Sequence, residues 1–275
     1  MSTSTIFQPN NVAVITGGAS GIGFAAAKAL SKRGMKICLA DVNKEKLEEA
    51  KRALPSDTLI VETDVSDFSS VLALKDKVKK EYGRIDFLFN NAGTAVKNGS
   101  WENLDGWNKI INTNLWGVIH CIHAFAPEMI SQSSPSVIVT TGSKQGITTP
   151  PGNPAYNVSK AAVKATAEAL QHSIRNTPGS QVSSHLLIPG FTYTGMTGSS
   201  SKPDGAWTAD QVVSFMLESV ERGDFYILCP DNDVDRETDV KRMRWAMGDI
   251  INNRPPLSRW HPDYREAFEA EMGKQ

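Results

Sequence analysis

The sequence predicts an α/β protein: a doubly wound, seven-stranded parallel sheet with helices on both faces. Short β-rich apolar runs alternate with longer amphipathic segments along 275 residues, enough for one large α/β domain. A tight glycine-rich turn joins the first apolar run to the first amphipathic segment. The first, second, fourth, fifth and sixth apolar runs all end in Gly, Asn, Asp, Ser or Thr clusters. In a parallel sheet covered on both faces, the carboxyl ends of the strands line one crevice, so these polar ends converge.

In order, residues 12–16 read as a buried strand. Residues 23–33 read as a helix with Phe24, Ala27 and Leu30 at helical spacing, stopped by Gly34. Residues 36–40 give the second strand, and 43–54 a charged surface helix ended by Pro55. Residues 58–62 give the third strand. Residues 68–82 then form a helix with Val71, Leu74, Val78 and Tyr82 on one face. Residues 85–89 are the fourth strand, 101–129 a long, mostly helical stretch, and 137–140 the fifth strand. An Ala-rich helix over 155–175 precedes the sixth strand at 182–188. Thr208-Ala-Asp-Gln211 resembles a capping box opening a helix to about Arg222, and 225–228 is the seventh strand. Two stretches break this rhythm. Residues 194–207, rich in Gly, Ser and Thr, read as a mobile loop. Residues 230–275 read as an extension to a single 1–229 domain, packed on it or on a neighbouring subunit.

Composition narrows the function classes. A formal net charge of −1 gives no global case for nucleic acid or an anionic membrane. Cys38, Cys121 and Cys229 form no CxxC pair, and three is odd, so a reducing compartment is expected over a disulfide framework. The N-terminal residues show no basic start followed by an apolar stretch, and no apolar run approaches the length of a membrane span. The expected location is the cytoplasm. His120 and His123 flank Cys121 on the long helix, but no third ligand is evident, so no metal is expected.

The first strand runs into Thr16-Gly17-x-x-x-Gly21-x-Gly23. Glycines there permit positive φ and let a pyrophosphate approach the backbone, and the following helix offers free N–H groups to it. Asp41 closes the second strand, eighteen positions after Gly23. A carboxylate there accepts hydrogen bonds from adenosine ribose hydroxyls and repels a 2′-phosphate. Val42 follows it and Ser20 lies in the turn, neither of them basic, so NAD is favoured over NADP. Tyr156-Asn-Val-Ser-Lys160 opens the Ala-rich helix, and its i, i+4 spacing puts phenol and ammonium on one face. An ammonium beside a phenol favours the phenolate, so Lys160 is expected to lower the Tyr156 pKa. Ser143 follows the fifth strand thirteen residues before Tyr156, Asn90-Asn-Ala-Gly93 follows the fourth, and Pro189-Gly-Phe-Thr-Tyr-Thr194 follows the sixth.

With these motifs in order from about Val12 to Thr194, the chain resembles the short-chain dehydrogenase/reductases. The resemblance implies a Rossmann fold and hydride transfer between NAD and an alcohol or ketone. It makes Tyr156 the general acid/base and gives Lys160 the nicotinamide ribose. It has Ser143 hold the substrate oxygen, and Asn114, in Asn112-Thr-Asn-Leu-Trp-Gly117, hold a water of the proton relay. It assigns Gly17, Ser20, Gly21, Ile22, Gly23, Asp41 and Val42 to the adenosine half of the cofactor, and Asp64 and Val65 to the adenine. Asn91, Ala92 and Gly93 would line the nucleotide floor, and Pro189, Gly190, Thr192 and Thr194 would face the nicotinamide amide or the pyrophosphate.

The expected substrate walls are Ser143, Gln145, Ile147, Pro150, Pro151 and Asn153, with Tyr156, Phe191, Tyr193 and Met196 and the loop through Trp207. They suit a hydrophobic or aromatic secondary alcohol or its ketone. Readings left open are an NADP-dependent carbonyl reductase and a nucleotide-binding biosynthetic enzyme without redox activity. A homodimer is expected over a homotetramer, because the 230–275 extension would obstruct the second interface such proteins often use.

Overall fold

The computed structural model describes residues 6–198 and 200–273. The first part of the N-terminal stretch read for a leader, and residue 199 of the 194–207 loop, lie outside the described residues. The strands are β1 (Val12–Thr16), β2 (Lys36–Asp41), β3 (Leu59–Glu62), β4 (Phe87–Asn90), β5 (Ser136–Thr141), β6 (Val182–Ile188), β7 (Thr192–Tyr193), β8 (Trp207–Thr208) and β9 (Tyr226–Leu228). Seven of them form one sheet in the order β3-β2-β1-β4-β5-β6-β9, every pair parallel. The order reverses direction between β1 and β4. At such a switch point the connections leave on opposite faces and a crevice opens above the strand ends.

Helices α1 (Gly21–Lys32), α2 (Lys44–Arg52), α3 (Phe68–Tyr82), α4 (Leu104–Ile111), α5 (Gly117–Ser131), α6 (Gln145–Thr148), α7 (Pro154–Arg175) and α8 (Ala209–Arg222) follow in chain order. No helix among the described residues is long and apolar enough to cross a membrane. The sheet's two faces take alternate side chains, as a period of two requires. Phe87 and Phe89 of β4 pack with Leu30 of α1 and Val212 and Met216 of α8, while Leu88 packs with Leu74 of α3 and Phe125 of α5. Local chemistry sets the helix ends. The Asn43 side chain accepts from the Lys46 N–H to open α2, and Asp67 accepts from Ser69 to open α3. Gly83 ends α3 at φ 74°. The capping box expected at Thr208 and Gln211 is formed in both directions.

Two features differ from the sequence reading. The single stretch expected over 101–129 is α4 and α5 joined by a π-helical turn, Asn112–Trp116. A π turn adds a residue to the helical circuit, which here accompanies the burial of Asn114. The loop expected over 194–207 is pinned at its ends by a parallel ribbon that pairs Thr192 with Trp207 and Tyr193 with Thr208.

Beyond β9 the chain forms α9 (Arg236–Ile251), two short 3-10 turns and α10 (Arg265–Met272). Trp245 is buried, its indole N–H donates to Ser258 Oγ at 2.8 Å, and the Arg254 guanidinium lies 4.1 Å from its ring centroid.

The approach of α6 to α7 is a tight constraint near the strand ends. A Cβ on Gly146 would lie 2.5 Å from the Lys160 carbonyl carbon and 2.6 Å from its oxygen. Backbone cannot yield as a side-chain tip can. Gly146→Ala is therefore expected to lower unfolding free energy by about 1–3 kcal/mol, seen as a lower urea midpoint at unchanged slope. An unchanged midpoint would show that α6 shifts freely.

Candidate active site

The carboxyl ends of β1, β4, β5 and β6 border a cleft of about 660 Å³, within the usual range for small-molecule sites. One end of it is built by the glycine turn. Gly17 and Gly21 sit at φ 61° and 54°, and a Cβ on Gly23 would lie 2.3 Å from the Gly17 carbonyl oxygen. Only glycine satisfies this turn. Ser20, the residue before α1, is extended and makes no side-chain cap, so no side chain of its own occupies the first N–H groups of α1. That is a cradle suited to a phosphate. The Asp41 carboxylate accepts from the Ala19 N–H at 3.3 Å and from the Asn43 N–H at 3.0 Å. It thus shapes both turns while lining the cleft, and a carboxylate's four acceptor sites leave capacity for two hydroxyls. These residues fit a dinucleotide.

At the other end, the N-terminus of α7 presents Tyr156 and Lys160. Asn153 opens α7, its side-chain oxygen accepting from the Tyr156 N–H at 3.3 Å and from Asn98 Nδ2 at 2.7 Å. Pro154 follows at the first helical position, where its missing N–H costs nothing. Lys160 is buried, and its ammonium donates to the Thr141 carbonyl at 2.7 Å and lies 5.8 Å from the Tyr156 ring centroid. Ser143 lines the cleft with Tyr156, and its hydroxyl favours the ionised phenol.

The electrostatics differ from expectation. Burial pushes the Tyr156 phenol above its ordinary pKa, and the Ser143 hydroxyl offsets this only in part. Burial likewise pulls Lys160 down to about 8. Desolvation favours the neutral form of each group, and in the protein alone it outweighs the pull of the ammonium on the phenol.

Most residues picked out in the sequence gather here. Gly17, Ser20, Gly21, Ile22, Asp41, Asn91 and Gly93 line the end at the glycine turn. Ser143, Gln145, Asn153, Tyr156 and Lys160 line the other end, with Pro189, Gly190, Phe191, Thr192, Thr194 and Met196 along the β6 side. Others lie behind or beside the cleft. Asn114 is fully buried: its Oδ1 accepts from the Thr94 N–H at 2.8 Å, and its Nδ2 donates to the Thr94 carbonyl at 3.0 Å and Ser159 Oγ at 3.2 Å. It ties the segment after β4 to α7. Ala92 closes over Gly17, whose Cβ would lie 2.8 Å from the Ala92 Cα.

Val65 is buried against Gly117, and its carbonyl oxygen lies 2.9 Å from His120 Nδ1, which gives that histidine a structural partner. The exposed Asp64 carboxylate accepts from the Ser66 N–H at 2.9 Å, and Val42 is exposed on the rim of β2. Pro151 is exposed in the turn before α7. Tyr193 is not among the cleft's lining residues. It points with Phe24, Lys28 and Asp210 into a separate hollow beside α1 and α8, because successive β7 residues face opposite ways and Thr192 takes the cleft side.

Three positions escaped the sequence reading. The Thr141 carbonyl receives Lys160, Gly146 permits the α6–α7 contact, and Lys144 lines the cleft bonded to the C-terminal extension. Of these, only Gly146 left a sequence signal, a glycine three residues after Ser143.

The chain is similar to known proteins over this whole region. The family described as short chain dehydrogenase matches residues 11–205. A crystal structure of a short chain dehydrogenase/reductase from Burkholderia phymatum in complex with NAD superposes with a TM-score of 0.83 at 31% identity, covering 91% of this chain and 97% of that one. A 1-deoxy-11-beta-hydroxypentalenate dehydrogenase from Streptomyces avermitilis is 31% identical over 231 residues, 80% of this chain and 84% of that protein. An uncharacterized oxidoreductase from Staphylococcus saprophyticus is 33% identical over 194 residues, 69% of this chain and 81% of that protein. Fold, glycine turn and family match agree, and the chain belongs to the short-chain dehydrogenase/reductase family of oxidoreductases, which bind a nicotinamide cofactor.

Proposed function

We propose that this protein transfers a hydride between NAD and a hydrophobic or aromatic secondary alcohol or its ketone, with Tyr156 as the general acid/base. The observation that carries this reading is the convergence of Tyr156, Ser143 and Lys160 on one end of a cleft whose other end holds Asp41 and the glycine turn. The nicotinamide, when bound, accepts or supplies the hydride. The residues bind and orient. Asp41 takes the adenosine ribose hydroxyls, the Gly17–Gly23 turn and α1 take the pyrophosphate, and Asn91, Ala92 and Gly93 form the floor.

Ser143 Oγ and Tyr156 Oη take the substrate oxygen between them. In oxidation the Tyr156 phenolate takes the hydroxyl proton, and in reduction the Tyr156 phenol returns a proton to the carbonyl oxygen. Lys160 holds the nicotinamide ribose and favours the phenolate, and Asn114 sets the relay behind it. Both ammonium groups on the wall are engaged: Lys160 by the Thr141 carbonyl, and Lys144 by Asp231 and Asp239. A carboxylate substrate therefore has no dedicated cation among the described lining residues. Phe191 and Met196, both about half exposed at the mouth, suit an apolar one. The NAD in the Burkholderia structure and the dehydrogenase name of the Streptomyces relative point the same way.

Tyr156→Phe is expected to lower kcat by about 100-fold or more while nucleotide affinity stays unchanged, measured with a panel of apolar alcohols and ketones. Near-normal turnover in that variant refutes the assignment. Asp41→Ala is expected to weaken NAD binding about tenfold and to narrow the preference over NADP, read by calorimetric titration of both nucleotides. Tighter binding of NADP than NAD by the unaltered protein would favour the carbonyl-reductase reading.

Lys160 also sets a pH dependence. Its folded pKa of about 8 lies below its ordinary 10.5, so between these values the unfolded chain holds a proton that the folded chain has lost. Stability then rises with pH across that window, by up to about 3 kcal/mol. In Lys160→Met this rise is expected to disappear, as judged by urea unfolding at pH 8 and pH 10.

A further inference from the structure

We infer that the C-terminal extension is a working part of the active site: residues 231–239, acting through Lys144, clamp the loops that carry Ser143 and Phe191. The inference rests on the roles given above to Ser143 and Tyr156. Lys144 follows Ser143 directly and lines the same cleft. Its ammonium lies 2.7 Å from Asp239 Oδ2 on α9 and 3.4 Å from Asp231 Oδ2, and both carboxylates are nearly inaccessible to solvent. Asp231 Oδ2 also accepts from the Phe191 N–H at 3.0 Å, on the opposite wall.

Gly190 makes this junction possible. A Cβ there would lie 2.6 Å from Asp231 Oδ2 and 3.1 Å from Lys144 Nζ. The adjoining Asn232 reaches the third segment at the mouth: its N–H donates to the Gly205 carbonyl at 3.1 Å and its side-chain amide to the Asp204 carbonyl at 2.6 Å. One short segment thus holds the β5–α6 loop, the β6–β7 loop and the end of the 194–207 loop.

Buried ion pairs of this kind contribute little net stability, because desolvating three charges offsets their attraction. Their geometric effect is larger. A single Lys144 ammonium shared by two carboxylates fixes the direction of the backbone at Ser143, and so the distance from Ser143 Oγ to Tyr156 Oη. Lys144, Asp231 and Asp239 are positioning residues that act through Ser143 and Phe191.

The test compares Lys144→Met, Lys144→Arg and Asp231→Asn in the full chain. Two readouts are followed: amide hydrogen exchange, and kcat with nucleotide affinity. In Lys144→Met, exchange in peptides covering 142–149 and 189–193 is expected to rise about tenfold, with β1 to β3 unchanged. kcat is expected to fall about 10- to 100-fold while the dissociation constant for NAD stays within about twofold. Lys144→Arg, which keeps the charge, is expected to restore most of both.

Exchange within about twofold of the unaltered protein overturns the clamp. So does an unchanged kcat, or a loss of kcat that Lys144→Arg leaves in place. If Lys144→Met does not fold, Asp231→Asn decides on the same readouts, since it keeps an oxygen for the Phe191 N–H while dropping a charge. Normal turnover in Tyr156→Phe would remove the Tyr156 assignment alone, and amide exchange would still decide the clamp.

Discussion

The carboxyl ends of β1 and β4 are held together by one hydroxyl. Thr16 Oγ1 donates to the Phe89 carbonyl at 3.2 Å and accepts from the Asn91 and Ala92 N–H groups at 3.0 and 3.2 Å. A hydroxyl has one proton and two lone pairs, and all three are used. Asn91 continues the tie, its amide donating to the Thr16 and Gly17 carbonyls and its oxygen accepting from Thr141 Oγ1. The polar backbone groups left where parallel strands diverge need partners in a region screened from water. These side chains supply them and keep β1, β4 and β5 in register at the switch point. The glycine turn, the Asn91–Gly93 segment and the Thr141 carbonyl that receives Lys160 are all fixed relative to this tie.

Burial governs the chemistry at the other end of the cleft. Lys160 is buried and Tyr156 half-buried at the start of α7, and burial shifts each toward its neutral form. A phenol poised this way needs an added positive influence to ionise near neutral pH, and a nicotinamide ring that becomes cationic when oxidised is of the right sign. On the role proposed for Tyr156, the protein alone presents an oriented, neutral phenol, and ionisation must precede proton acceptance. Ser143 adds a hydroxyl that favours the phenolate, which makes the placement of its loop as important as its presence.

That placement depends on distant parts of the chain. Gly146 lets α6 sit against the Lys160 backbone, Asn114 ties the segment after β4 to Ser159 of α7, and Lys144 reaches α9. The π-helical turn Asn112–Trp116 accompanies the burial of Asn114. The contacts with Asn114 and α9 join segments separated by tens of residues. The helix that carries Tyr156 therefore has its position set by two of these contacts, those of Gly146 and Asn114, as well as by its own capping residues, Asn153 and Pro154.

The sequence by itself determined the order of the seven sheet strands and of the long helices between them, the glycine turn with Asp41, and the i, i+4 pairing of Tyr156 with Lys160. Each is written in local spacing: a period of two or 3.6, a turn that only glycine can make, or a helix that sets two side chains on one face. The tertiary structure decided which way those groups face and how they titrate. It turned Tyr193 out of the cleft lining, made Asn153 a helix cap, tucked Val65 behind the cleft, reversed the expected shift of Tyr156, and brought Lys144 to Asp231 and Asp239. None of these leaves a periodic trace, because each depends on burial or on residues brought together from far along the chain. Desolvation in particular belongs to the packed whole rather than to any segment.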